Sequence, residues 1–139
     1  MSISASFYQR LTTDAELAKM ISDYNGLPAV FTASPVPANA SLPYIVTAGN
    51  VSDTTDVPAN TKNRTATQFM RDIRIFADQT GSMAKIEQMG ERVWSLFHKK
   101  PLSIPGWTVL EVKAARPVIY PQDDVYGIYV TVVVTMQQN

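Results

Sequence analysis

Residues 67–78 read Thr-Gln-Phe-Met-Arg-Asp-Ile-Arg-Ile-Phe-Ala-Asp, and their order decides the fold. Successive strand side chains point to opposite faces, so Phe69, Ile73, Ile75 and Ala77 fall on one side and Gln68, Asp72, Arg74 and Asp78 on the other. Arg71 sits in the apolar register, while Met70 and Phe76 sit in the polar one. The pattern predicts a strand with one face in a core and an outer face that is not purely solvated, open to a second contact.

Downstream the period changes. After Thr80-Gly81 the spacing predicts a helix over 82–99, with Met83, Ile86, Gly90, Val93, Trp94 and Phe97 along one side and Lys85, Glu87, Glu91 and Arg92 opposite. His98, Lys99 and Lys100 suit the negative end of its dipole, and Pro101 stops it. Two strands close the chain. One spans about 108–120 and is interrupted by Pro117, which places it at an edge or a bulge. The other spans 126–136, with Ile128, Val130, Val132 and Val134 on one face and Tyr129, Thr131, Val133 and Thr135 on the other. Asp123-Asp124 lies in the hairpin turn between them.

Upstream, residues 4–24 read as helix: Phe7, Tyr8 and Leu11 share a face, and Leu17, Met20, Ile21 and Tyr24 continue one. Thr13-Asp14-Ala15-Glu16 has the form of a capping box, so the first part is either a separate short helix or a kinked one. Asn25-Gly26 tolerates positive φ and is expected to end the helix. Pro35, Pro37 and Pro43 break regular structure, and Tyr44-Ile-Val-Thr-Ala-Gly49 reads as a strand. Residues 50–66 carry almost no large apolar side chains, and the expectation is a long polar loop of functional or disordered character.

The sum is one α+β domain over 1–139. It has a mixed, mainly antiparallel sheet of about four to five strands, packed against the N-terminal helix and the amphipathic helix at 82–99. With 139 residues a genuine core is available. Charged residues make up 17% of the chain, below the norm of about 25%, which favours covering part of the surface with neighbours. Twelve basic and twelve acidic residues cancel, so no long-range field draws the chain to nucleic acid or an anionic membrane. There is no cysteine, which excludes disulfides and thiolate metal sites and fits a reducing cytosol. No apolar run reaches membrane-spanning length, and the first residues do not have the form of an export signal.

Catalytic constellations have little to build on. His98 is the sole histidine, and the helix dipole accounts for its position. Asp123 and Asp124, being adjacent, project in different directions, and no phosphate-cradling glycine pattern occurs. Arg71 and Arg74 stand close in sequence to Lys62 and Arg64. Such a cluster touches a phosphate backbone, pairs with carboxylates of a neighbouring subunit, or is spent within the chain on Asp72, Asp78 or Glu111. Trp94 and Trp107 read as core or core-edge residues, with a partner contact as the alternative reading for Trp107. Two classes of function remain: an assembly subunit, or a small enzyme or ligand-binding domain with a dispersed site. Mass in solution separates them.

Four features taken in order carry a family resemblance: Leu-Thr-Thr-Asp-Ala-Glu-Leu at 11–17, Leu-Pro-Tyr-Ile-Val at 42–46, Arg-Asp-Ile-Arg-Ile-Phe-Ala-Asp at 71–78 with its following helix, and the terminal strand at 126–134. Across essentially its whole length the chain resembles the tail completion or tail terminator proteins of long-tailed bacteriophages. The resemblance implies a noncatalytic virion protein without cofactor, assembled in the host cytoplasm. It implies a ring, commonly a hexamer, at the head-proximal end of the tail tube, with the tail tube protein and a head connector or neck protein as partners. Genomic DNA would pass through the lumen without sequence-specific binding, and no membrane is involved. Asp53, Thr54, Asp56, Lys62, Arg64, Arg71 and Arg74 are then the candidate subunit-interface or partner-loop residues. The alternatives are another neck or head–tail adaptor component, or a small ligand-binding domain.

Overall fold

A computed structural model of the chain describes residues 3–49, 52–58, 65–78, 83–122 and 125–139. In chain order the elements are α1 (Ile3–Thr12), α2 (Ala15–Ala18), β1 (Asp23–Tyr24), β2 (Leu27–Pro28), β3 (Val30–Phe31), β4 (Tyr44–Val46), β5 (Ser52–Pro58), β6 (Thr65–Asp78), α3 (Met83–Phe97), β7 (Trp107–Ala114), β8 (Val118–Gln122) and β9 (Val125–Gln138). The fold is α+β, with a mixed, mainly antiparallel sheet.

The two longest strands form its spine. β6 and β9 pair antiparallel from Thr67 opposite Met136 to Asp78 opposite Val125. The main sheet has seven strands in the order β3-β4-β6-β9-β7, with β5 also on β6 and β8 also on β9. Among the described residues only the β3–β4 pair is parallel. The count exceeds the expected four to five because Pro117 divides one expected strand into β7 and β8, and because β3 and β5 join the sheet.

β5 corrects the expected loop at 50–66. Its polar sequence cannot bury itself, but it does not have to: residues 52–58 pair with 65–70 of β6, so the backbone groups on that side are satisfied by a strand already anchored in the core. Residues 59–64 lie outside the described residues.

One face of the sheet and all three helices share a single core. Phe69, Ile73 and Ile75 of β6, Ile128, Val130, Val132 and Val134 of β9, and Val112 and Ala114 of β7 meet Phe7 and Leu11 of α1, Leu17 of α2, and Ile86, Val93 and Phe97 of α3. The 3.6-residue spacing of α3 selects those positions, with Met89 among them. Gly90 lets α3 come close: a Cβ there would lie 2.9 Å from the Pro117 Cβ and 3.0 Å from the Ile128 Cγ2. Met83, expected on the buried side, is 43% exposed because it stands at the first turn, beyond the edge of the core.

The N-terminal region departs most from expectation. The helix of 4–24 is two short helices followed by a hairpin. Thr13 is not the cap; its hydroxyl donates to the Gln9 carbonyl at 2.7 Å. Asp14 caps α2, its Oδ2 accepting from the Leu17 amide at 2.9 Å. Asn25 and Gly26, with φ of 53° and 80°, form the two-residue turn between β1 and β2. Positive φ at both central positions is what a type I′ hairpin requires, so the Asn-Gly pair was a hairpin signal rather than a helix stop.

Candidate interaction surface

Side chains of β6 alternate between the core and the sheet's outer face, and the outer positions are Gln68, Met70, Asp72, Arg74 and Phe76. The same parity puts Tyr129, Thr131, Val133 and Thr135 of β9, Val118 and Tyr120 of β8, and Tyr44 of β4 on that face. Ile119, between Val118 and Tyr120, packs on the core instead.

Half of this face is aromatic. Ring centroids run from Tyr24 to Phe31 at 5.3 Å, Phe31 to Tyr44 at 5.9 Å, and Tyr44 to Phe76 at 5.6 Å. Gly127 pairs with both Phe76 and Tyr120 and leaves the middle of that row without a side chain. Beyond it, Tyr120 meets Tyr129 edge-on at 5.0 Å. Such edge-to-face pairs fix ring orientation as well as covering area. Arg74 lies over the Tyr129 ring at 5.3 Å, and its nearest carboxylate contact, Asp72, is at 4.0 Å. Asp72 in turn accepts from the Thr131 hydroxyl at 2.7 Å. The other half of the face is polar, with Gln68 donating to Thr135 at 3.3 Å and Lys113 beside Glu111 at 3.7 Å.

A second concavity, about 550 Å³, lies between α1, the start of α2 and the end of α3. Its two arginines are already engaged. Arg10 donates to the carbonyls of Leu96 at 3.1 Å and Pro101 at 2.6 Å, closing the C-terminal end of α3. Burial lowers the Arg10 pKa from its ordinary value. Arg92 binds Asp14 with two hydrogen bonds and reaches Glu16 at 3.2 Å. Hydrogen bonding from Arg92 lowers the pKa of the Asp14 carboxyl, and the same bond raises that of Arg92. This cleft is a structural joint.

The residues singled out in the sequence separate. Arg74 is on the outer face with its side chain 47% exposed. Arg71 is inside: it is 5% exposed, donates to the Ser4 hydroxyl at 2.8 Å and lies over the Phe7 ring at 5.5 Å. The expectation that Arg71 meets a partner is therefore corrected, because an apolar-register position carries its guanidinium under α1. Asp53, Thr54 and Asp56 are placed by their backbone in β5. Lys62, Arg64, Asp123 and Asp124 lie outside the described residues. His98 stacks on Trp94 at 4.6 Å, and its Nδ1 accepts the Ala114 amide at 3.1 Å. Trp107 packs edge-on to Phe69 at 6.2 Å.

The aromatic patch was not singled out from sequence. Its signal was present in the misfit of Phe76 on a polar register and in β-branched and aromatic residues on both faces of β9, but the members come from six separate strands and only the topology assembles them.

No protein-family model matches this chain, and no curated protein is similar to it in sequence. Among solved structures it is similar to a chain in the virion of a native gene transfer agent particle. The TM-score is 0.77, with 18% identity, over 98% of this chain and 95% of that one. The likeness establishes a shared fold along nearly the full length of both.

Proposed function

We propose that this chain is a structural protein of a phage-like virion, and more narrowly that it forms a ring at the head-proximal end of a tail tube. The observation that carries the reading is the near full-length fold likeness to a chain of a gene transfer agent virion. The resemblance to tail terminator proteins in the order of sequence elements supports the narrower role.

In this reading the chain works by geometry and performs no catalysis. A ring is built from a heterologous interface, one surface meeting a different surface on the next copy, and it closes when the angle between them allows. A contact of about 800 Å² per partner holds such a ring without covalent links. The ring, a hexamer by the family pattern, ends tube growth and offers its other side to the head connector, while DNA passes through the lumen. A charge fraction of 17% and an exposed aromatic patch suit a protein that covers its surface with neighbours.

Purified protein imaged by negative stain, alone and mixed with tail tubes, tests the reading. Rings and capped tube ends are expected. A strict monomer that leaves tube ends bare at every concentration overturns it.

A further inference from the structure

We propose that the patch formed by Val118, Tyr120 and Tyr129 around Arg74 seats the outward side of α3 from a second copy of this chain, with Met83 against the rings and Glu87 on Arg74. This rests on the ring reading and names the two surfaces that meet.

The large apolar side chains that remain exposed among the described residues are Leu27, Met83, Leu110, Val118 and Tyr120. Val118 and Tyr120 are 48% and 49% exposed and share the outer sheet face with Tyr129, so they form one patch. Arg74 stands within it. Its guanidinium is held by the Tyr129 ring, and Asp72 at 4.0 Å is beyond hydrogen-bond distance, so its N–H donors face outward without an acceptor among the described residues. A cation over one aromatic ring, beside exposed apolar side chains, fits an acidic group beside an apolar one.

An acidic group beside an exposed apolar one is present on α3 of the same molecule. Met83 is 43% exposed, and Glu87 lies one turn further along the same side of α3. Glu87 has no hydrogen bond or ion pair among the described residues, whereas Glu91 is engaged by Arg116 at 2.8 Å. The two surfaces are different, so their contact is heterologous, as ring closure requires. A polyanion is a poorer match for the patch, because Arg74 is accompanied by Asp72 and, among the described residues, by no second cation on the aromatic half.

The chain has no cysteine, which makes the contact directly testable. A variant carrying both Met83→Cys and Tyr120→Cys is expected to give a ladder of oxidised multimers on a reducing-agent-free denaturing gel, whereas either single change stops at dimers. Arg74→Glu alone and Glu87→Arg alone are expected to raise the protein concentration needed for assembly about tenfold or more, and the two together to restore it. Far-ultraviolet circular dichroism checks that each variant is folded. Single-charge variants that assemble like the parent protein, or a double-cysteine variant that links no further than the singles, overturn the pairing while leaving the ring intact. Loss of tube binding with self-assembly unchanged assigns the patch to the tube protein and overturns it too. A parent protein that never assembles overturns both readings.

Discussion

Arg92 of α3 grips Asp14 at the start of α2 through both ends of its guanidinium, Nε to Oδ2 at 2.8 Å and Nη2 to Oδ1 at 2.5 Å. The same carboxylate caps α2, so one group serves two elements. Replacing Asp14 with Ala is expected to cost about 1–2 kcal/mol at neutral pH. Because the folded-state pKa of Asp14 is depressed, its contribution is complete above the ordinary carboxylate value of about 3.9 and is lost as pH falls through the folded value. Urea unfolding of parent and variant should therefore differ at pH 7 and converge once the pH has fallen through the folded-state value of Asp14. Equal stabilities at pH 7 contradict the double role.

Gly90→Ala tests the close approach of α3. Alanine gains about 1 kcal/mol of helix propensity over glycine. Against that, its Cβ meets the Pro117 ring at 2.9 Å and Ile128 at 3.0 Å, and overpacking of a core costs about 1–3 kcal/mol. Neither neighbour is the free end of a flexible chain, so the clash wins. A net loss of up to about 2 kcal/mol is expected in thermal or denaturant unfolding; a stabilised variant shows that the helix shifts freely.

Arg71 and Arg74 are three residues apart and should respond oppositely. Arg71→Ala removes a buried donor from Ser4 and a cover from Phe7, and a loss of about 1.5–3 kcal/mol with faster hydrogen exchange in α1 is expected. Arg74→Ala is expected to change the stability of the isolated chain by less than about 0.5 kcal/mol. If the stabilities of the two variants match, the division between interior and surface is wrong.

Thr47 is wholly buried, and its Oγ1 has no hydrogen-bond partner among the described residues. An unsatisfied buried hydroxyl costs about 1–3 kcal/mol. Thr47→Val keeps the shape and removes that cost, so stability should rise by about 1 kcal/mol. A fall in the unfolding midpoint would mean the hydroxyl is satisfied in solution.

Much of the fold was legible where a segment's own pattern suffices. β6, α3 and β9 each carry enough apolar side chains at period 2 or 3.6 to declare themselves, and they form the centre of the structure. The misses share a cause: the deciding partner lies elsewhere in the chain. β5 is a strand because β6 offers it an edge, not because Ser-Asp-Thr-Thr-Asp-Val-Pro prefers extension. Likewise Asp14 rather than Thr13 became the cap, since Arg92, 78 positions away, fixes that carboxylate. The candidate site was legible only at Arg74. The rings around it are scattered from Phe31 to Tyr129, and the register that aligns them is a property of the sheet.

The margin of β7 is plugged by the end of α3. Lys99 donates its amide to the Val112 carbonyl at 2.9 Å, the Trp94 indole donates to Ala114 at 2.9 Å, and His98 takes the Ala114 amide at 3.1 Å. Continuing on that side, Pro117 and Pro121 contribute no amide hydrogen to a would-be neighbour. Backbone-mediated stacking therefore finds these positions on the β7–β8 margin already occupied or without a donor, which hinders cross-β growth through that side. Many copies held at high local concentration are thereby steered toward contacts made by side chains, which have a finite number of places to go.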